Sequence, residues 1–390
     1  TEFVTSPICC PSRASLLTGL YVHNHETRNN TVRGGCYGPK WKQLESRTFA
    51  NVLNDAGYRT FYAGKYMNEV YQGARVPPGW TEWHGLVGNS VYYNYTISNN
   101  GVPTHSEDLY LTDIITRDEP FLMVLAPPTS HQPSMPVTRH QGAFRNTTVP
   151  RTPHFNISGR GETLERKDKH WLLTMPPSPL PNSMLPELNR AYRSRWESLL
   201  AVDEMAADVI AALARSELDN TYVIYTSDNG YHVGQFSQVY DKRQPYESDI
   251  RVPLLIKGPS VKKNVTSAQP VVNIDLAPTI LKLAGLEVPA IMDGKAIDVL
   301  GNIFFGSLTM LVEYFGEGKD GSVDSRCPWK YDSDHLAQCH PLYDCKCQDS
   351  RNNTYACVRR VGKYLNDKYC EFQDTKVICA GGVSVIAYDL

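Results

Sequence analysis

At 390 residues the chain can bury a large core and is long for one domain. Its 41% hydrophobic and 21% charged side chains are those of an ordinary soluble globular protein, and 39 basic against 41 acidic residues leave a net charge of −2. With no basic surplus, no nucleic-acid or lipid-surface partner is expected; with no apolar run of roughly 18 residues, no membrane span is expected either. The chain opens at Thr1 without an initiator Met or a signal peptide, and reads as a fragment or processed product, truncated at both ends.

The first organised stretch is Pro7-Ile8-Cys9-Cys10-Pro11-Ser12-Arg13-Ala14-Ser15-Leu16-Leu17-Thr18-Gly19. Pro11 and Ser12 suit the first turn of a helix, the Leu pair begins an apolar face, and Gly19 closes it. Cys9 is then expected just ahead of the helix, where free N–H groups favour an anion, and Arg13 adds a planar donor fork. Taken alone, a Cys-Cys pair reads equally as a structural disulfide beside a helix cap.

Phe49, Val52, Leu53 and Ala56 have helical spacing that Gly57 ends, and Tyr58 to Ala63 reads as a strand. Lys65, after Gly64, emerges at the carboxyl end of that strand. Pro120 to Ala126 is a buried strand followed by a Pro-rich loop holding His131, within a long loop region over 127–185. A helix from about Leu188 to Leu213 precedes the strand Tyr222 to Thr226, which runs into Ser227-Asp228-Asn229-Gly230. Val252 to Ile256 reads as a further strand and Asp275 to Ala284 as a helix. Strands alternating with helices predict an α/β fold with ligands gathered beyond the strands' carboxyl ends. Four segments deliver polar residues to that edge.

Near residue 300 the character changes: Thr309 to Tyr314 reads as a strand, and seven of the ten cysteines fall between Cys327 and Cys379. The expected division is a catalytic domain over 1–300, lacking its first strand, and an incomplete Cys-rich subdomain over 301–390. Cysteine density and six sequons (Asn29, Asn94, Asn146, Asn156, Asn264, Asn352) suit the secretory pathway. Cys345-Lys346-Cys347 lacks the two-residue gap usual between zinc ligands. Converting Cys9 leaves nine thiols, so one is expected to stay free or to pair outside this sequence, and Cys10 is the first suspect.

Cys9-x-Pro11-Ser12-Arg13-x-x-Leu16-Leu17-Thr18-Gly19 resembles, at every position, the signature of the type I sulfatase family. The resemblance implies an alkaline-phosphatase-like α/β fold with a large mixed central sheet flanked by helices and a smaller Cys-rich subdomain built on an antiparallel sheet. It also implies that Cys9 is oxidised to Cα-formylglycine, whose hydrate is the nucleophile. Asp228 and Asn229, with modified Cys9, match the ligands of one divalent cation, Ca²⁺, and two further Asp are expected upstream of residue 1. Standing alone, Ser-Asp-Asn-Gly is a common turn.

Lys65 matches the sulfate-contacting lysine of the Gly-Lys-Trp-His motif, but Met67 stands where that motif has histidine. His131 matches the histidine near the leaving oxygen, where it acts as general acid, and Lys242 matches a sulfate-binding lysine. The resemblance places Arg13 with these lysines around the sulfate. His232 and His25 are candidate substrate-binding residues.

Within the family the resemblance is closest to the N-acetylglucosamine-6-sulfatase branch, on strings such as Ala63-Gly64-Lys65-Tyr66-Met67-Asn68-Glu69 and Tyr225-Thr226-Ser227-Asp228-Asn229-Gly230-Tyr231-His232. It implies a sulfuric ester hydrolase acting on 6-sulfated N-acetylglucosamine units of heparan and keratan sulfate. The expected partners are that sulfated glycosaminoglycan and the formylglycine-generating enzyme, with a homodimer left open. The expected destination is the lysosome, with secretion as the other outcome. An extracellular heparan 6-O-endosulfatase and an inactive glycan-binding relative are the alternatives.

Overall fold

A computed structural model describes residues 2–68, 75–114, 121–157, 170–174, 177–214, 218–301, 308–317, 348, 350, 353–373 and 384–386. Its largest α/β element is a five-stranded mixed sheet of order β5-β4-β3-β2-β6. The strands are β2 (Arg59–Gly64), β3 (Glu82–Leu86), β4 (Tyr95–Asn99), β5 (Val102–Ser106) and β6 (Phe121–Ala126). β2 runs parallel to both β3 and β6, so the chain after Gly64 and the chain after Ala126 leave by the same edge.

Packed in a core with this sheet lie α1 (Cys9–Thr18), the short α3 (Pro39–Leu44) and α4 (Phe49–Asp55), with α2 (Val22–His25) between α1 and α3 in the chain and in contact with both. Of the spacing that marked α4, Phe49 and Leu53 enter a core with Leu17, Trp41, Tyr62, Trp80 and Trp83, joined by Ala50; Val52 is partly buried, and Ala56 lies exposed just past the helix end. Further on come α5 (Trp171–Thr174), the long α6 (Leu185–Leu213), α7 (Glu247–Ile250) and α8 (Leu276–Leu283). Pro186 in the first turn of α6, where no intrahelical N–H is needed, suits its start. No helix among the described residues is long and apolar enough to cross a membrane.

The stretch expected as one strand, Val252 to Ile256, is two. β10 (Arg251–Val252) pairs with β1 (Glu2–Phe3), whereas β11 (Leu255–Lys257) pairs with β7 (Val223–Tyr225). Pro253 has no N–H to give a ladder, and the chain changes partners there. β1 also pairs in parallel with β12 (Val271–Val272), and β8 (His232–Val233) with β9 (Tyr240–Asp241) forms a small ribbon.

The C-terminal part is an antiparallel sheet, β13 (Leu308–Tyr314), β14 (Tyr355–Val361), β15 (Asn366–Phe372) and β16 (Ser384–Ile386) in that order. Cys357 and Cys370 face each other across β14 and β15 and are joined by a disulfide. This sheet shares a core with the α/β part: Met310, Val312 and Tyr314 pack with Phe3, Val4, Ile8 and Val252. Cys10, the expected odd thiol, is paired with Cys36, closing a loop of 26 residues onto α1. Cys327, Cys339, Cys345, Cys347, Cys379 and the Asn352 sequon lie outside the described residues.

Candidate active site

Helix α1 begins at Cys9, one residue earlier than the sequence suggested, with extended Ile8 as its N-cap and Ser12 N–H bonded to Ile8 O. It ends where the Gly of the motif sits. Gly19 adopts φ 69°, the left-handed conformation that only glycine takes freely, and its N–H bonds to Ser15 O. The middle of the helix is fixed by Asn273, whose amide donates to both Ser12 O and Ser12 Oγ. The motif is thus a complete capped helix that fixes where Cys9 and Arg13 stand.

Arg13 uses its fork fully. Nε and Nη2 both bond Asp228 Oδ2, at 2.9 and 2.8 Å, and Nη1 donates to Lys65 O at 2.6 Å. One guanidinium therefore ties α1 to the end of β2 and to the loop after β7. Cys9 is a free, buried cysteine among the described residues. Burial alone pushes its thiol up, but the positive charges of Lys242, Lys65 and Arg13 outweigh that and hold it below the ordinary cysteine value.

Lys65 follows Gly64, which has φ 107° and whose missing Cβ would stand 2.2 Å from Ala126 O. Only glycine lets β2 lie that close to β6 at the point where the lysine turns into the site. The side chain is buried, and Nζ donates to Ser90 Oγ at 3.0 Å. Burial, helped by Arg13 and Lys242, lowers its pKa. Met67, in the position of the motif histidine, is wholly buried in the aromatic core and offers no proton-transfer group.

His131 follows β6 in a loop pinned by Tyr92, whose hydroxyl donates to His131 O at 2.7 Å, and by Arg195, which donates to Ser130 O. Its Nδ1 lies 2.7 Å from Gln132 O. A carbonyl only accepts, so Nδ1 carries the hydrogen and Nε2 is left with its lone pair. Burial, with Lys242 and Lys65 nearby, holds the ring well below the usual histidine range. Without a bound anion it is therefore neutral.

Asp228 lies in the loop after β7; burial raises its pKa, but Arg13, Lys65 and Lys242 overcome this and keep it ionised. Next to it, Asn229 donates through Nδ2 to Gly230 O, while its buried Oδ1 has no hydrogen-bond partner. An ionised carboxylate beside an orphaned amide oxygen is a donor pair suited to a hard divalent cation. Among the described residues no group of three or more His, Cys, Asp or Glu is placed to hold a metal ion, so Asp228 and Asn229 alone do not make a complete cation site. Lys242 is buried after β9, and its charge acts on Cys9, Lys65, Asp228 and His131 together.

The structure does not bring the other two histidines into this group with an open ring. His232 is buried, with Nδ1 at 2.9 Å from Asp249 Oδ1 and Nε2 at 3.1 Å from Gln348 Nε2. His25 is fully buried, accepting from Thr27 N–H at Nδ1 and meeting Ser15 Oγ at Nε2, which anchors α1. Burial and His23 depress the His25 pKa to about 3.

Because the unfolded ring titrates near ~6.5, folding excludes a proton from His25 below that pH, and stability falls by up to about 1.4 kcal/mol per pH unit down toward pH 3. Glu2, pushed up to about 8 by burial, acts in the opposite sense, gaining stability as pH falls. A His25→Gln variant, which keeps one acceptor and one donor, is expected to flatten the acid limb of a denaturation-against-pH series by about one proton.

Beside His131 a cavity of about 470 Å³ opens, lined among others by Ser134, Ser194, Arg195, Tyr231 and Tyr240. Arg195 carried no sequence signal; it is one of three arginines between residues 190 and 195.

The sulfatase family model matches residues 1–286. The chain is a sulfatase. It is 44% identical to human N-acetylglucosamine-6-sulfatase over 97% of this chain and 71% of that protein. An extracellular sulfatase SULF-1 homolog of Drosophila melanogaster is 39% identical over 76% of this chain and 27% of that protein. A structure solved in complex with its substrate D-glucosamine-2-N,6-O-disulfate superposes with a TM-score of 0.69, at 23% identity, covering 99% of this chain and 82% of that one. The sulfatase thus has the alkaline-phosphatase-like fold expected from its motif, and it is a sulfuric ester hydrolase.

Proposed function

We propose that this sulfatase removes the 6-sulfate from N-acetylglucosamine 6-sulfate units of heparan and keratan sulfate. The observation that carries this is the convergence of Arg13, Lys65 and Lys242 on Cys9, next to a neutral histidine and a sugar-sized cavity. The human relative's name supplies the glycan. A Cα-formylglycine made from Cys9 supplies the nucleophilic oxygen, and a Ca²⁺ ion held by that residue, Asp228, Asn229 and upstream aspartates supplies charge neutralisation.

The chain's own residues do the rest. Lys65 and Lys242 bind the sulfate oxygens and stabilise charge that grows in the transition state, each donor being worth roughly 10²–10³ in rate. Arg13 stands with them and holds Asp228 and the Lys65 backbone in register. A bound sulfate ester brings negative charge among the cations that keep His131 neutral, so its Nε2 takes up a proton and delivers it to the departing sugar oxygen. His232 and His25 support substrate binding through the loops they tie, His232 by way of Asp249 and Gln348, His25 by way of α1.

Residues 1–300 form the catalytic domain in this reading and 301–390 the Cys-rich subdomain. The exposed sequon asparagines Asn94, Asn146 and Asn264 suit a glycoprotein delivered to the lysosome, whereas Asn29 is buried.

The acid role is tested by leaving group. His131→Gln in the full-length enzyme is expected to lower kcat/KM about 10²–10³-fold on the sugar 6-sulfate, whose alkoxide is a poor leaving group. On 4-methylumbelliferyl sulfate, which needs little proton help, the loss is expected to stay below about tenfold. Equal losses on both would remove His131 from that role.

A further inference from the structure

We propose that Arg195 is a specificity-determining residue that anchors a second anionic substituent of the substrate, a carboxylate or a sulfate, in the cavity beside His131. The proposal rests on the reading of this sulfatase as a glycan 6-sulfatase.

Three observations meet at this residue. First, Arg195 lines the 470 Å³ cavity together with His131, Ser194, Tyr231 and Tyr240. His131 serves the departing sugar oxygen, so this cavity is the space on the sugar's side of the scissile bond. A volume of this size accommodates the sugar and part of its neighbour.

Second, the guanidinium is held in place. It lies 3.6 Å over the Tyr231 ring, and Nη1 donates to Ser130 O at 2.6 Å. Stacking fixes the plane of the fork, which pre-organises it for a planar or tetrahedral oxyanion.

Third, it makes no ion pair among the described residues. Three arginines with little exposure pair with carboxylates, Arg13 with Asp228, Arg243 with Asp241 and Glu317, and Arg359 with Glu247, whereas Arg193 and Arg195 each donate to a backbone carbonyl. Arg195 is partly buried, yet no carboxylate among the described residues forms an ion pair with it. Of its five N–H donors one is bonded among the described residues, to Ser130 O. A role confined to supporting the His131 loop needs only that one bond, and a neutral residue could provide it. A guanidinium held stacked and unpaired at a cavity wall is matched by an incoming anion, because a charge-assisted bidentate bond is then gained without rearrangement.

Two sources carry that chemistry: a uronate carboxylate on the next sugar, and an N-sulfate on the 6-sulfated glucosamine itself. A neutral galactose neighbour carries neither.

The test is direct binding to the full-length protein carrying Cys9→Ala, which cannot turn over, with and without Arg195→Gln. Four ligands are titrated calorimetrically: N-acetylglucosamine 6-sulfate, N-sulfoglucosamine 6-sulfate, and the N-acetylglucosamine 6-sulfate disaccharides with a uronate or a galactose. Arg195→Gln is expected to weaken at least one of the two doubly anionic ligands by about 10- to 100-fold, and the other two by less than about threefold. Which anionic ligand loses affinity identifies the source.

Arg195→Lys, which keeps the charge but not the fork, is expected to fall between, and stands in should Arg195→Gln fail to fold. An equal loss for all four ligands, or no loss for either anionic one, overturns the proposal. If the Arg195-containing parent binds none of the four and the unsubstituted full-length enzyme also fails to desulfate N-acetylglucosamine 6-sulfate, the 6-sulfatase reading itself fails and takes this inference with it; non-binding by the parent beside an active unsubstituted enzyme overturns this inference alone.

Discussion

Replacing Cys9 by serine is expected to lower turnover by about 10⁴-fold or more while leaving the fold intact. Serine matches cysteine in size, and Cys9 makes no disulfide, so nothing in the packing of α1 is lost. The serine oxygen still stands among Arg13, Lys65 and Lys242 and is placed to attack sulfur once. The product of that attack is an alkyl sulfate whose carbon carries no second hydroxyl to expel the sulfate, and the enzyme stalls. Intact-protein mass spectrometry after incubation with substrate is expected to show one covalent sulfate. A serine variant that turns over repeatedly is incompatible with this chemistry.

The second large effect is expected at Arg13. Arg13→Gln removes three hydrogen bonds and leaves the partly buried Asp228 carboxylate without its partner, which costs about 2 kcal/mol of stability. The same change shifts the loop carrying Asp228 and Asn229 relative to Cys9, and kcat/KM is expected to fall about 10³-fold. Arg13→Lys separates the two contributions. A point charge holds Asp228 but cannot also reach Lys65 O with the same geometry, so most of the stability returns while kcat/KM stays at least about tenfold down. Chemical denaturation beside steady-state kinetics reads both. Full activity in Arg13→Lys would show that the fork is not needed.

Much of this site was legible in the sequence because its residues follow strands or open a helix. Lys65 stands after β2 behind a glycine that the close approach to Ala126 requires, and His131 and Asp228 follow β6 and β7. Local pattern and strand order suffice for these positions. What failed to show depends on tertiary partners. Gln348 reaches His232 across 116 residues, and no spacing rule connects them. Cys10 and Cys36 give no sign of their pairing, because two cysteines 26 residues apart are brought together only by α1 folding back on its following loop. Arg195 reads as a polar residue on a helix, and only the position of Tyr231 and of the His131 loop makes it different from Arg193 beside it. Pro253 was visible, but its effect was misjudged: the proline marks the point where one apolar run is shared between two sheets.

Everything assigned to the cationic cluster depends on what stands at position 9 in the mature enzyme. The direct measurement is peptide mass spectrometry across residues 1–13 of the full-length protein recovered from its native source, without reduction and with an aldehyde-trapping reagent. The expected result is an aldehyde at residue 9, with Cys10 found in a cystine with Cys36. A thiol at residue 9, or residue 9 found as half of a cystine, would contradict the hydrolytic mechanism proposed for this site.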